Sequence, residues 1–157
     1  MKPTLTFGDP DTKRSEELQR GFRGHPELAA RAVKSAELMR LESIDAIFLT
    51  IMAAERWGAR PIVHEAQVFE TTSADRDMGW PSFVIAGVAG KPDDPRDPQF
   101  ELRMIILAVL RAVEKFNKTA GRPIRSIAFG PEWIGIKKLT PQQAADVIRV
   151  AYGEASE

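Results

Sequence analysis

Two continuous apolar segments, and the long helical segment after them, constrain the fold of this chain most. Residues 44–51 and 82–89 are nearly all apolar or β-branched. Strands of this kind are covered on both faces, which is typical of parallel sheets. Residues 98–116 begin with proline after Asp97 and have few charges, as in a helix packed on a sheet. A further strand at 124–129 completes a predicted parallel βαβ unit, and with it an α/β fold.

The remaining segments give shorter predicted elements. Residues 4–7 predict a strand, residues 15–22 a helix, and residues 62–72 a strand with one side toward water. Residues 29–41 fit either a helix or a strand, and we favour a strand that ends near Glu37. Residues 52–57 predict one or two helical turns that stop at Gly58, and residues 73–81 predict a polar loop.

The last unit has the most specific helix signal in the chain. Thr140-Pro-Gln-Gln143 is a capping box with proline at the first helical position, which predicts a helix over residues 141–152 that stops at Gly153. With this unit in place, we expect one domain over residues 1–157. We expect it to be a three-layer α-β-α sandwich with a mixed, largely parallel central sheet.

The composition excludes several classes of function. The chain has 22 basic and 22 acidic side chains, so it lacks the broad positive field of most nucleic-acid-binding proteins. It has no cysteine and two histidines, His25 and His64, that are distant in sequence, which argues against a metal site or a cofactor held by thiolates. No apolar run is long enough for a signal peptide or a membrane span, so we expect a cytoplasmic protein.

The ordered series of short motifs resembles a macro domain, the α/β module associated with ADP-ribose and related nucleotides. Asp45-Ala46-Ile47 matches the Asp-Ala-Ile that precedes the ligand loop of that family, and Glu37 matches an acidic residue that contacts adenine there. The other matches are residues 65–68, residues 83–88, residues 126–129, Gly135-Ile136 and the Pro-x-x-Ala-Ala start of the last helix at residues 141–145. The resemblance implies the sandwich fold and a nucleotide-type ligand.

The first ligand loop of that family is absent from this chain. Where macro domains continue with asparagines and a run of glycines, residues 48–54 read Phe-Leu-Thr-Ile-Met-Ala-Ala, and no glycine occurs before Gly58. Phosphate binding by successive backbone N–H groups needs positions without side chains. The 51–62 link is also about the minimum for a crossover between parallel strands. We therefore expect a ligand-binding domain without hydrolase activity, and keep a divergent ADP-ribosyl hydrolase as an alternative.

The candidate ligand site follows from the carboxyl ends of the predicted strands and from the resemblance. In open α/β sheets, ligands bind in the crevice beyond those ends. Backbone N–H groups of the 130–138 loop and its lysines would face a phosphate there, although the loop also fits an ordinary strand-to-helix connection. The predicted ligand-binding residues are Glu37, Thr50, Phe129, Gly130, Trp133, Gly135, Ile136 and Lys137.

Other segments support alternatives. Residues 55–60 place charges around Trp57, which forms a second site if Trp57 is exposed and a core contact if it is buried. A protein-interaction module is the alternative function, with the cleft closed by Phe48, Met52 and Trp57. Residues 93–97 carry three aspartates among prolines, which favours a rigid solvated connection over a cation site.

Overall fold

The computed structural model describes residues 2–38, 40–41, 43–51, 53–60, 62, 65–87, 98–130 and 139–155. Its strands are β1 (Thr4–Asp9), β2 (Ala30–Lys34), β3 (Ala46–Thr50), β4 (Ala66–Glu70), β5 (Phe83–Gly87) and β6 (Ser126–Phe129). Its helices are α1 (Thr12–Arg23), α2 (Ser35–Leu38), α3 (Ser73–Asp77), α4 (Pro98–Thr119) and α5 (Pro141–Glu154), with one 3-10 turn at Glu55–Trp57.

The strands form one sheet in the order β2-β1-β6-β3-β5-β4. All neighbouring pairs are parallel except β4 and β5, which are antiparallel. β6, the last of these strands in the chain, lies between β1 and β3, with Phe129 in register with Phe7 on one side and Phe48 on the other. The predicted α/β fold with a mixed, largely parallel sheet is confirmed.

The first face of the sheet carries the long helices. α5 packs against both α1 and α4, and their apolar side chains join those of Leu5, Phe48 and Phe129 in one buried cluster. α4 presents a broad apolar surface because its buried residues include the continuous run from Ile105 to Leu110. This face holds most of the core.

The second face has a thinner cover. A separate buried cluster joins Ile47, Val84 and Ala128 of the sheet to Leu38 of α2 and Ala54 beside the 3-10 turn. Trp57 and Trp80 pack against the same cluster. The sheet therefore has protein layers on both faces, as the predicted sandwich requires.

Several boundaries agree with the sequence. The 3-10 turn ends at Gly58, whose φ of 91° lies in the left-handed region that favours glycine, as predicted. The ambiguous residues 29–41 contain both elements in succession, since β2 ends at Lys34 and α2 runs from Ser35 to Leu38. The capping box at α5 is present, with the Gln143 N–H donating to Thr140 Oγ1 at 3.1 Å.

Two predicted boundaries were wrong. Residues 73–81 are not all loop, because α3 is held by a capping box in which the Thr72 N–H donates to Asp75 Oδ2 at 3.0 Å. Gly153 does not stop α5, which continues to Glu154. The side chains of Ala151, Tyr152 and Ala155 are buried in the core, and this packing stabilises the last helical turn.

The predicted crossover at residues 51–62 was also wrong. β4 follows this link and runs antiparallel to β5 at the edge of the sheet, so the link does not join two parallel strands. Its short length therefore carries no information about a truncated crossover helix.

Replacing Gly21 by alanine tests the packing of α1 on α5. A Cβ at Gly21 would lie 2.7 Å from the Cβ of Ala145, so the helices must separate. The better helix propensity of alanine offsets about 1 kcal/mol of this cost. We expect a net loss of about 1–2 kcal/mol in the free energy of unfolding, measured by urea denaturation.

Gly153→Ala is the matched control, because Gly153 also lies in a helix and a Cβ there meets no atom within 4 Å. It should leave stability unchanged or raise it by a few tenths of a kcal/mol, since it lies in the last turn. Equal free energies of unfolding for Gly21→Ala and Gly153→Ala would contradict the close approach of α1 to α5 at Gly21 and Ala145.

Candidate functional site

The carboxyl edge of the sheet is where the parallel strands end together. Thr50 is in register with Gly87 of β5, and Phe48, two residues before Thr50, is in register with Phe129 of β6. Gly130 follows Phe129 directly and is half-buried. The structure thus brings three of the predicted ligand-binding residues, Thr50, Phe129 and Gly130, to one part of this edge.

The elements that follow β6 and β3 lie on opposite faces of the sheet. α5, the next element after β6, packs on the first face, whereas Ala54 and the 3-10 turn, which follow β3, pack on the second face. Neighbouring parallel strands with connections on opposite faces leave a crevice between them at their carboxyl ends. The gap between β6 and β3 is one such position in this sheet, and it is the one that adjoins both Thr50 and Gly130.

A row of phenylalanine rings packs on the first face of the sheet, near the carboxyl ends of the central strands. The ring of Phe129 stacks on that of Phe7 with centroids 4.7 Å apart, and its centroid lies 5.4 Å from that of Phe48. Phe129 is 1% exposed, so its ring belongs to the core rather than to the surface of a site.

A buried carboxylate lies at the end of β1, two residues after Phe7. Asp9 is 4% exposed; its Oδ1 accepts from the Asp11 N–H at 2.9 Å, and its Oδ2 lies 3.4 Å from Arg14 Nε. Asp9 and Thr50 end strands that are two positions apart, which separates them by about 10 Å. Asp9 was not among the predicted ligand-binding residues, because it lies between Gly8 and Pro10 in a sequence typical of a turn.

Glu37 lies away from the crevice. It belongs to α2, which packs on β1 and β2, and it is exposed. It lines an open groove of about 570 Å³ between α1 and the end of β2, together with Gln19, Arg20 and Lys34. The sequence did not predict this groove, because its lining comes from a helix face that resembles ordinary solvated surface.

The other predicted ligand-binding residues, Trp133, Gly135, Ile136 and Lys137, lie outside the described residues, as do Asp93, Asp94, Asp97 and His64. Within the part of the chain that is described, no three acidic or histidine side chains are arranged to hold a metal ion. None of the described helices combines the length and apolar character needed to cross a bilayer.

The segment around Trp57 is organised by Asp75. The Trp57 indole N–H donates to Asp75 Oδ2 at 3.1 Å, and the Arg56 guanidinium forms an ion pair with Oδ1. Arg56 also stacks over the Trp57 ring at 4.0 Å, and Trp80 packs edge-on against Trp57 at 5.1 Å. Trp57 is half-buried, and its ring and indole N–H contact Arg56, Trp80 and Asp75 of the same chain.

This arrangement bears on the interaction-module alternative. Phe48 packs on the first face of the sheet and Trp57 on the second, so the two do not close one cleft. Met52, the third residue of that proposal, lies outside the described residues.

Comparisons with known proteins add no family assignment. No protein-family model matches the chain, and no curated protein matches it.

The Asp75 cluster predicts acid sensitivity. Hydrogen bonds from the Thr72 backbone, the Trp57 indole and the Thr72 hydroxyl, together with Arg56, lower the pKa of Asp75 below 3.8, although partial burial opposes them. A lowered native pKa adds stability above pH 3.8, which is lost as the pH falls through the native value. We expect Asp75→Asn to be less stable than the parent protein at neutral pH, with the difference shrinking below pH 3.8.

Thermal unfolding between pH 2 and 7 measures this difference, with Asp77→Asn, an exposed position in the same helix, as the control. A difference that stays constant over this range would show that the charge of Asp75 is not what stabilises the cluster.

Proposed function

We propose that the chain binds an ADP-ribose-type nucleotide, or a related small ligand, in the crevice between β6 and β3 without hydrolysing it. The observation that carries the proposal is that the elements following these two neighbouring strands lie on opposite faces of the sheet, with Thr50 and Gly130 at the strand ends between them. The resemblance in sequence to macro domains supplies the ligand class.

The described polar groups fit different parts of such a ligand. The Thr50 hydroxyl makes no hydrogen bond within the described chain and is half-buried, so it is available to a phosphate or ribose oxygen. The Asp9 carboxylate repels phosphate and accepts hydrogen bonds, so it favours the ribose side of the ligand. About 10 Å between these residues suits a ligand with separate sugar and phosphate groups.

We expect binding without hydrolysis because residues 48–54 lack the asparagines and the glycines that follow Asp-Ala-Ile in macro domains. Asp9, the buried carboxylate among the described residues at this edge, has one donor at each oxygen, the Asp11 N–H at Oδ1 and the Arg14 guanidinium at Oδ2. Each oxygen can accept a further hydrogen bond, so Asp9 remains available to a ribose hydroxyl.

Calorimetric titration with ADP-ribose tests the proposal. Thr50→Val removes the free hydroxyl with little change in shape, and we expect about fivefold weaker binding, as for the loss of one hydrogen bond of about 1 kcal/mol. Free ADP-ribose measured by chromatography after incubation should stay constant.

Thr4→Val is the matched control, since Thr4 is an exposed residue at the opposite end of β1 and should bind as the parent does. The absence of heat at millimolar ADP-ribose, or equal weakening by both variants, would overturn the proposal.

A further inference from the structure

The groove between α1 and β2 gathers charged side chains that the protein does not neutralise. It holds about 570 Å³ and is lined by Glu16, Gln19, Arg20, Arg23, Lys34 and Glu37. Within the described chain, none of its five charged side chains is in an ion pair. A cavity of this size is in the range of small-molecule sites.

These charges are segregated along the groove. α1 leaves the carboxyl end of β1 and leads to the amino end of β2, so Glu16 lies nearer the carboxyl edge than Arg20 and Arg23. Because an α-helix rises 1.5 Å per residue, Arg20 lies about 6 Å and Arg23 about 10 Å along the helix axis from Glu16. Lys34 and Glu37 mark the carboxyl end of β2, so this end of the groove has net charge −1 and the other end +2.

Gln19 places a hydrogen-bond donor between the two ends. Its Oε1 accepts from the Ala32 N–H of β2 at 2.8 Å, a backbone group that points away from β1 at the edge of the sheet. This bond fixes the orientation of the side-chain amide. Its Nε2 has no partner within the described chain and remains available to an acceptor.

We propose that this groove binds a short peptide with free termini, in an extended conformation antiparallel to β2. The ammonium group faces Glu16 and Glu37, the carboxylate faces Arg20 and Arg23, and a central carbonyl accepts from Gln19 Nε2. An extended chain of about three residues spans the roughly 10 Å between the charged ends. The site is separate from the nucleotide crevice and does not depend on it.

Calorimetric titration with trialanine, and with its N-acetylated and C-amidated forms, tests the proposal. Trialanine should bind, and each blocked form should bind at least about tenfold more weakly, since each loses one charged contact. The Arg20→Gln/Arg23→Gln variant and Glu37→Gln should each weaken trialanine binding by a similar factor. Equal binding of the blocked and free peptides, or no heat with trialanine at millimolar concentration, would overturn it.

Lys13→Gln is the control, because it removes one charge from an exposed position of α1 outside the groove. It should bind trialanine as the parent does. All substituted positions are exposed, and circular dichroism verifies that the variants fold. ADP-ribose binding should be unchanged in the groove variants, which separates failure of this site from failure of the crevice.

Discussion

The contact among Phe7, Phe129 and Phe48 is the interaction on which the rest of this structure depends. The three rings belong to β1, β6 and β3, and they pack on the first face together with Leu5 of β1 and Ile127 of β6. Burying each ring contributes about 1.5–3 kcal/mol, and each aromatic pair adds about 0.5–1.5 kcal/mol. The row fixes the register of the central strands and therefore the positions at which they end. Thr50 and Gly130 lie together because this register holds.

Much of this arrangement could be predicted from local sequence. The apolar run that contains β3 and the capping box of α5 identify their elements, because in each case a single interaction pattern dominates. The carboxyl-edge site follows from those elements, since parallel strands end at the same edge. α2, α3 and the antiparallel direction of β4 did not follow, because elements of four or five residues depend on the partners that the fold supplies.

The candidate sites also differ in how much of each could be predicted from local sequence. Thr50 was predictable because it ends an apolar strand, whereas Asp9 lies between a glycine and a proline, which are residues typical of turns. The groove could not be predicted, since Glu16, Arg20 and Arg23 form the exposed face of an amphipathic helix in the sequence. Only the position of β2 beside α1 shows that these charges share a cavity. Glu37 was predicted as a ligand-binding residue from the resemblance to macro domains, and in the structure it lines this groove together with Glu16, Arg20 and Arg23.

The central position of β6 has a consequence for the chain during its synthesis. Until residues 126–129 leave the ribosome, the edges of β1 and β3 that β6 covers in the native sheet have no native partner among the described strands. Unpaired strand edges are templates for intermolecular pairing, so we expect a chain that stops before β6 to aggregate more readily than one that contains it.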